Sequence, residues 1–325
     1  MRLMNKLTFT VLACLLLLSA CKKDLLEPQS VGQVSVATQD DLNRILFVND
    51  TLGFIVGGDK YYTTDLLMTT NGGATWTAFN NNWEGNKAVY GLAINGNGLF
   101  AVGYDGKIYT RNDAGPADWQ RVQTPAWEEW MQAVAFPEPG KGFIITGEGY
   151  RGGRIYKTDS NGAISLLDTF DYQLSDIQFV NKTTGYVCGY GAVMKTTDGG
   201  ATWQLLNVKG DFFKSMSCID ANELWIVGYS GTIVHTTDGG AHWEKQRNGD
   251  NPLLKKYRLR SVVFKDRQTG YAAGDKGLLI KTRDGGAHWS EMEPFTDNDI
   301  KCITLHPDGS LWLTGAKGTV FHIRD

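Results

Sequence analysis

The chain has 325 residues and a formal net charge of −3 at pH 7, and 42% of its residues are hydrophobic. So small a net charge argues against a nucleic-acid partner held by bulk electrostatics. The chain is too long for one ordinary core, so we expect either two domains or a repeat architecture.

The N-terminal residues have the pattern of a secretory signal peptide. A short basic start precedes an apolar run over residues 7–18, which is too short to span a bilayer as a helix. The run ends in "LLSAC", which resembles a bacterial lipobox and implies lipid attachment to Cys21. We therefore expect a signal peptide over residues 1–20 and a polar tether over residues 21–30. The alternative is a plain signal peptide cut near Ala20.

The residue after the lipobox cysteine bears on the compartment. It is a lysine, not the aspartate that is linked to retention of lipoproteins in the inner membrane. We expect an outer-membrane lipoprotein on the periplasmic or cell-surface side, which touches the membrane through its lipid anchor only.

Three cysteines follow this leader, Cys188, Cys218 and Cys302. Their number is odd, and the sequence has neither a CxxC pair nor a His-rich spacing, so neither a disulfide framework nor a zinc site is indicated. We interpret all three as small buried apolar residues. No metal and no cofactor is expected.

A longer unit repeats along the rest of the chain. Its most regular part is an aromatic residue a few positions before a glycine, and it recurs about every 43 residues. The seven aromatic residues are Phe54, Phe100, Phe143, Tyr186, Trp225, Tyr271 and Trp312. Each unit reads as four short alternating strands bounded by Gly and Asp. Units of this kind and period predict a single all-β, seven-bladed β-propeller of four-stranded blades, without a second domain.

The last unit ends after only three strands. The leftover segment "VGQVSV", residues 31–36, is predicted to supply the missing outer strand and so to close the ring, which removes an exposed sheet edge. We expect a monomeric propeller over residues 31–325. The predicted blades cover residues 43–79, 88–122, 131–170, 174–206, 213–246, 259–292, and 300–325 together with 31–36.

Four units contain nearly the same turn, as "TTNGGATW", "TTDGGATW", "TTDGGAHW" and "TRDGGAHW". The carboxylate or amide can accept backbone N–H bonds across the turn, the glycines supply unusual backbone conformations, and the Trp can pack over the blade. One such turn per blade cannot converge on one ligand, so a structural role is expected. The residues assigned to it are Asn71, Trp76, Asp198, Trp203, Asp238, Trp243, Asp284 and Trp289.

This turn resembles the Asp-box, or BNR repeat, of sialidases and other propellers. The whole unit, as in "GYAAGDKGLLIKTRDGGAHW", is similar to the photosystem II stability/assembly factor family of seven-bladed propellers. Unit two has a stretched box, and unit three lacks the Trp. The resemblance implies a non-catalytic assembly factor that binds a membrane-protein client, here an envelope protein or peptide.

Propeller sites usually form where two sets of loops meet at one end of the channel. Aligning the first strands gives one position per blade: Asn43, Tyr90, Gln132, Ser175, Lys214, Arg260 and Lys301. Blades five to seven carry a positive charge there, opposite an acidic and aromatic "WEEW". The candidate binding residues are Trp83, Tyr104, Trp127, Trp130, Glu148, Tyr150, Arg151, Tyr190, Lys214, Tyr229, Arg258, Arg260, Asp275 and Lys301. The alternative for the loop aromatics is that they cap the blade beneath them.

An enzyme is the less favoured interpretation. The first-blade arginine motif of sialidases is missing, and the sequence shows no Ser-His-Asp pattern, phosphate loop or metal cluster. Glu148 and Asp275 could face one another across the channel, as two carboxyls do in glycoside hydrolases. The alternative function is therefore a glycan-binding protein or sialidase-like glycoside hydrolase, with Trp83, Trp127 and Trp130 as sugar platforms.

Overall fold

The structure is a computed structural model, and it describes residues 25–79, 82–112, 118–208, 210–253 and 256–325. The predicted signal peptide and Cys21 lie outside the described residues. Within these ranges the chain forms seven separate four-stranded antiparallel sheets. The helices found there are single 3-10 turns, Tyr104–Gly106 and Asp275–Gly277. No helix in the described part has the length and apolar character needed to cross a membrane.

Six blades are built from four consecutive strands, and the outer strand of the seventh blade comes from the N-terminal segment. The innermost strands are β2 (Leu42–Phe47), β6 (Val89–Asn95), β10 (Met131–Glu138), β14 (Leu174–Phe179), β18 (Phe213–Cys218), β22 (Leu259–Phe264) and β26 (Ile300–Leu305). The second strands are β3 (Gly53–Gly57), β7 (Gly98–Gly103), β11 (Lys141–Thr146), β15 (Gly185–Gly189), β19 (Leu224–Gly228), β23 (Gly270–Gly274) and β27 (Leu311–Gly315). The third strands are β4 (Asp65–Thr69), β8 (Lys107–Arg111), β12 (Gly153–Thr158), β16 (Ala192–Thr196), β20 (Ile233–Thr236), β24 (Leu279–Thr282) and β28 (Val320–Arg324). The outer strands are β5 (Thr77–Ala78), β9 (Gln120–Gln123), β13 (Ile164–Phe170), β17 (Gln204–Leu205), β21 (Glu244–Arg247), β25 (Ser290–Glu291) and β1 (Ser30–Gln33).

The closure of the ring is formed by β1, which pairs antiparallel with β28. Val31 lies opposite Ile323, and the backbone N–H of Val34 donates to the Val320 carbonyl at 3.0 Å. Val34 and Val36 continue from β1 as packing residues against the core between blades seven and one. The predicted all-β fold, with seven four-stranded blades closed by an N-terminal strand, is confirmed.

The interior is divided among the blades. Seven buried apolar clusters are found, one at each interface between neighbouring blades. The repeated aromatic of the second strand belongs to these clusters, and Phe54, Phe100 and Trp225 are fully buried. Because burial of apolar area is the main favourable contribution to folding, each blade is stabilised by its two neighbours.

A β-bulge follows the first residue of every innermost strand. In blade one, Leu42 pairs with Gly57 and Arg44 pairs with Val56, so Asn43 has no residue opposite it. A bulge bends the strand and redirects the side chain of the extra residue. The seven bulge residues are Asn43, Tyr90, Gln132, Ser175, Lys214, Arg260 and Lys301.

The repeated turn has an internal set of hydrogen bonds. The Asp198 carboxylate accepts from the Thr202 amide at 3.0 Å and from the Thr196 hydroxyl at 2.8 Å. The Thr196 hydroxyl in turn accepts from the Gly200 amide at 2.9 Å. Gly200 has a φ of +84°, and an added Cβ would lie 2.3 Å from the Phe143 ring, so this position requires glycine. Equivalent amide-to-acceptor bonds form at Asn71, Asp238 and Asp284.

The tryptophan after each turn packs toward the preceding blade. Trp203 of blade four contacts Phe143 of blade three edge-on, with ring centroids 6.2 Å apart. Trp76 of blade one lies 6.1 Å from Trp312 of blade seven. Trp243 and Trp289 pack against the clusters shared with blades four and five. The hydrogen bonds within the turn and the packing of its Trp at the blade interface are sufficient to explain why these residues recur.

The segment predicted as a polar tether, residues 21–30, is docked on the ring at Leu26. Leu26 forms a parallel bridge with Met292, just after β25, and its side chain packs on the cluster between blades six and seven. The physical reason is that this apolar side chain can be buried there. We call residues 25–33 the strap, because they run along blade six and then join blade seven as β1.

Candidate functional site

The seven bulge residues meet at one end of the central channel. They line a single cavity of about 370 Å³. The other residues that line it are Arg44, Trp130, Gly149, Tyr150, Gln173, Phe212 and Tyr229. The ring position predicted from the aligned first strands is therefore the wall of a real cavity, because the bulge turns one extra side chain per blade toward the axis.

Aromatic side chains form one wall of this cavity over blades two and three. Trp130 packs on Tyr90 with ring centroids 4.9 Å apart and on Tyr104 at 6.1 Å. The ammonium of Lys60 lies 4.3 Å from the Trp130 ring centroid, within cation–π range. The same lysine forms an ion pair with Glu148. This wall therefore presents a flat aromatic surface whose rim charges are already paired.

A second aromatic wall lies over blades three to five. Phe212 contacts Tyr150 at 5.4 Å, Tyr190 at 5.7 Å and Tyr229 at 5.0 Å, as centroid distances. Tyr150 and Tyr190 keep 55% and 48% of their surface exposed. Such exposed, mutually packed aromatic rings offer a large contact area at little cost in side-chain entropy.

Two of the three ring cations are compensated by carboxylates. Arg260 forms an ion pair with Asp275 and a longer one with Asp299 at 3.4 Å. Lys301 forms an ion pair with Asp41 at 2.5 Å. The three positive charges predicted at the ring position of blades five to seven are therefore present, but two of them are paired within the protein.

Lys214 is different from the other two ring cations. Among the residues that the structure describes, no carboxylate lies within ion-pair distance of its ammonium. The ammonium lies over the rings of Phe212 and Tyr229, at 4.9 and 5.4 Å to the centroids, and Asp176 favours its charge from beyond ion-pair distance. Burial, together with the nearby cations Arg260 and Arg44, lowers the pKa of Lys214 to about 8. The cavity therefore contains one cation that lacks a counterion.

A buried ion pair closes the floor of the cavity. Arg44 of blade one donates to Asp176 of blade four at 2.8 Å, across the channel. Asp176 also accepts from the backbone amides of Ile177 and Met216. Burial opposes the charge of Arg44, but the Asp176 carboxylate outweighs this and raises the pKa of Arg44 above its ordinary value. A further cavity of about 550 Å³ lies beyond this pair and is lined by both residues, whereas Arg44 alone of the two lines the first cavity.

Two clefts open beside the central cavity. The first contains Tyr150, Tyr190, Phe212, Tyr229 and Arg258. The second is a groove of about 440 Å³ between blades five and six, and it shares Tyr229 and Arg258 with the first. Asp275 lines this groove while its carboxylate holds Arg260. The three spaces thus form one continuous surface on the same face of the ring.

The structure does not bring all the candidate residues to this surface. Trp83 packs beside Phe79 and Tyr109, with centroids 5.7 and 5.5 Å away, and does not line the cavity. It caps the interface between blades one and two, which is the alternative considered for loop aromatics. Trp127 is 63% exposed and also lies outside the cavity. Arg151 is exposed and bridges Glu148 through its backbone at the cavity rim.

Residues missed by the sequence reasoning include the floor pair, Arg44 and Asp176, and the cavity residue Gln173. Strand alternation places the residue after each ring position on the opposite side, away from the channel. The bulge cancels that alternation, so two successive residues face the axis. A search for a bulge at the same position in all seven units would have found the pair.

The side chains that could act as a hydrolytic pair are engaged by cations. Glu148 is held by Lys60, and Asp275 is held by Arg260. In the described part of the chain, no group of three or more His, Cys, Asp or Glu side chains could hold a metal ion. Cys188, Cys218 and Cys302 are all free thiols, and Cys188 and Cys302 are buried.

Comparison with known proteins agrees with the fold and the repeats. The sequence profile of the family described as photosynthesis system II assembly factor YCF48 matches residues 163–250 and 210–296. No curated protein shows significant sequence similarity to the chain.

Solved structures of similar shape share little sequence with the chain. A structure of YCF48 bound to D1 peptide is 17% identical, with a TM-score of 0.75 over 93% of this chain and 99% of that one. YCF48 from Cyanidioschyzon merolae is also 17% identical, with a TM-score of 0.70 over 91% and 98%. A streptogramin B lyase is 14% identical, with a TM-score of 0.69 over 91% and 97%. Such likeness establishes the fold, which occurs in binding proteins and in enzymes alike. The family profile covers residues 163–296, less than half of the chain, so the repeats in that part are similar to those of the family.

Proposed function

We propose that the chain is a non-catalytic, protein-binding propeller of the cell envelope that holds a peptide segment of a client protein at the central cavity. The observation that carries this proposal is the cavity itself, with two aromatic walls and the uncompensated ammonium of Lys214. A closed ring gives such a surface a rigid support, which favours recognition because little ordering is needed on binding.

The chemistry of the cavity defines the client segment. A desolvated cation without a counterion binds an anionic group strongly, since charge-assisted hydrogen bonds are the stronger kind. The neighbouring rings of Phe212 and Tyr229 fit an apolar or aromatic side chain next to that group. We therefore expect a segment that presents a carboxylate, from an acidic side chain or a chain end, beside an apolar residue. That YCF48 is known as a complex with a D1 peptide supports a peptide client.

The envelope location rests on the leader and the lipobox-like "LLSAC". Lipid on Cys21 would display the propeller at the outer membrane, on its periplasmic or cell-surface side. The client is then an envelope protein that passes within reach of the anchor.

Glycan binding is the second candidate, and the exposed aromatic side chains favour it. Trp127, Tyr150 and Tyr190 are each close to half exposed or more, and aromatic rings of this kind can also stack on sugars. Hydrolysis would need two carboxyls that act on one bond. The two carboxylates considered for that role, Glu148 and Asp275, are each held in ion pairs.

Photo-crosslinking tests the peptide proposal on the full chain in its own envelope. A photoreactive amino acid in place of Tyr190, at the edge of the surface, should crosslink to one segment of one protein. Lys214→Met should abolish that crosslink, because it removes the free cation and keeps the length of the side chain. Lys182→Met is the matched control, since Lys182 is 75% exposed and lies away from the cavity.

Two results would count against a peptide client. The first is a set of crosslinks scattered over unrelated proteins that Lys214→Met leaves unchanged. The second is cleavage of a glycan or a sialoside reporter by the purified chain, which would establish the alternative function instead.

A further inference from the structure

The strap docks on the same face as the cavity. The Leu26 amide donates to the Glu291 carbonyl at 2.9 Å, and the Glu293 amide donates to the Leu26 carbonyl at 2.9 Å. Met292, opposite Leu26, lines the groove that shares Tyr229 with the central cavity. The docked strap therefore lies on the face of the ring that carries the cavity, not on the face that carries the repeated turns.

The chain between Cys21 and this docking point is short. Leu26 is five residues after Cys21. A fully extended chain spans at most about 3.3–3.6 Å per residue, so Cys21 lies no more than about 18 Å from Leu26. A lipid at Cys21 would sit in the bilayer, and the point where the strap meets blade six must then lie close to the bilayer surface.

We propose that the strap orients the propeller, so that the cavity-side rim of blade six faces the bilayer and the client is bound next to the membrane. This inference rests on the proposed lipid attachment at Cys21. A free tether of the predicted length would let the ring rotate above the membrane. A docked tether fixes which blade is nearest to the membrane, because both the amide and the carbonyl of Leu26 are hydrogen-bonded to blade six.

The loop between blades five and six, from which Lys256 and Arg258 line the same groove as Met292, has the chemistry of a membrane-contacting surface. Leu253, in the loop between blades five and six, is 91% exposed. Arg258 follows in the same loop, with 60% of its side chain exposed, and Lys256 lines the groove beside it. An exposed apolar side chain next to cations fits the interface of a bilayer that contains anionic lipids. The partner of this rim is therefore the bilayer surface.

The orientation narrows the choice of client. A segment that reaches the cavity must pass between the ring and the membrane, or emerge from the membrane close to blade six. A juxtamembrane segment or terminus of an integral membrane protein meets that condition without a long extended linker.

Spin labels on the lipidated full chain test the orientation. We would place one label at Asp297→Cys, an exposed position in the loop between β25 and β26, and one at His242→Cys in a box. The His242 side chain is 92% exposed, so both labels are accessible. Vesicles of phosphatidylethanolamine and phosphatidylglycerol would carry a nickel-chelating lipid as the relaxing probe. The chain without an added cysteine controls for labelling of Cys218.

The expected result is strong line broadening at position 297 and none at position 242. A flexible Gly-Ser insertion between Lys23 and Asp24, or Leu26→Ser, should abolish the difference while the protein stays on the vesicles. Equal broadening at both positions in the unmodified chain would overturn the orientation, and so would persistence of the difference after both changes. A failure of the proposed lipid attachment is detected separately. In that case the unmodified chain would not sediment with membranes, and Cys21→Ser would not change its sedimentation.

Discussion

At the scale of single residues, the cavity depends on how each charge is compensated. Arg260 and Lys301 are held by carboxylates of the protein, so a ligand gains little by approaching them. Lys214 has no carboxylate at ion-pair distance in the described part of the chain, and burial disfavours its charge, so that charge costs free energy until a ligand supplies a close counterion. A site that is destabilising when empty and satisfied when filled is what a binding function requires.

This cost should appear as a pH-dependent difference in stability between the wild type and Lys214→Met. The folded-state pKa of Lys214 is about 8, below its ordinary value of 10.5, so the unfolded chain binds more protons between these values. The free energy of unfolding of the wild type should therefore rise with pH in this range relative to the variant. Below pH 8 the variant should be the more stable protein, and near pH 10.5 its advantage should vanish.

Denaturant unfolding of both proteins across that range measures the effect. Titration of groups that do not interact with Lys214 is common to both chains and cancels in the difference. Lys182→Met, at an exposed lysine away from the cavity, is measured in parallel as the control for replacing a lysine by methionine. A wild type that is more stable than Lys214→Met at neutral pH would show that the ammonium has a counterion, and the binding proposal would lose its basis.

At the scale of the elements, the repeated turn and the bulge divide the two faces of the ring. The turn satisfies its own backbone groups and positions a Trp at the blade interface on one face. The bulge directs one side chain per blade into the cavity on the other face. The structural role of the turn and the proposed recognition role of the cavity are therefore on different faces, and substitutions in the turn should not abolish binding.

The two threonines of one box provide a test. Thr196 is 1% exposed, and its hydroxyl accepts from the buried Gly200 amide. Thr196→Val should lower the free energy of unfolding by about 1–3 kcal/mol, because a buried donor is left unpaired. Thr202→Val removes only an exposed hydroxyl that bonds to Asp198, so its effect should be clearly smaller. Both variants should keep the client crosslink.

Thermal and chemical unfolding compare these variants directly. An effect of Thr202→Val as large as that of Thr196→Val would mean that the exposed hydrogen bond, not the buried one, stabilises the turn. Loss of the client with unchanged stability would place the box in the binding surface.

The sequence predicts the strands and blades more reliably than it predicts the contacts between them. The blade count follows from one aromatic and one glycine that recur in each unit, as at Phe54 and Trp312, because every blade needs the same buried second strand. The ring position is found because the bulge occupies the same place in each blade. Trp83 could not be placed, since loop residues carry no periodic signal. Leu26 was assigned to a polar tether because its partner, Met292, is distant in sequence.

At the scale of the whole molecule, the ring is held together by contacts between residues far apart in the chain. β1 joins the two ends of the described chain in one blade, and seven similar interfaces share the burial of apolar side chains. Most contacts of this kind link neighbouring blades. Arg44 and Asp176 instead connect blade one with blade four, across the channel and beneath the cavity.

The cross-channel pair gives a prediction about the entire ring. Asp176 has only 3% of its side chain exposed, so Arg44→Met would leave a buried carboxylate without its cation. Removal of one partner of a buried ion pair typically costs about 3–5 kcal/mol, whereas replacing both partners by apolar residues is often neutral. Arg44→Met should therefore be strongly destabilising, and the double variant Arg44→Met/Asp176→Leu should recover most of the loss.

A double-mutant cycle measured by chemical denaturation separates this coupling from the effect of each side chain alone. The cavity above the pair should still bind its client in the double variant, because Arg44 and Asp176 act on Lys214 in opposite directions and both charges are removed together, while the aromatic walls stay in place. Additive effects of the two single substitutions would show that the ion pair does not couple blades one and four. The hydrogen bonds of Asp176 to the amides of Ile177 and Met216 would then be the contacts that stabilise the channel.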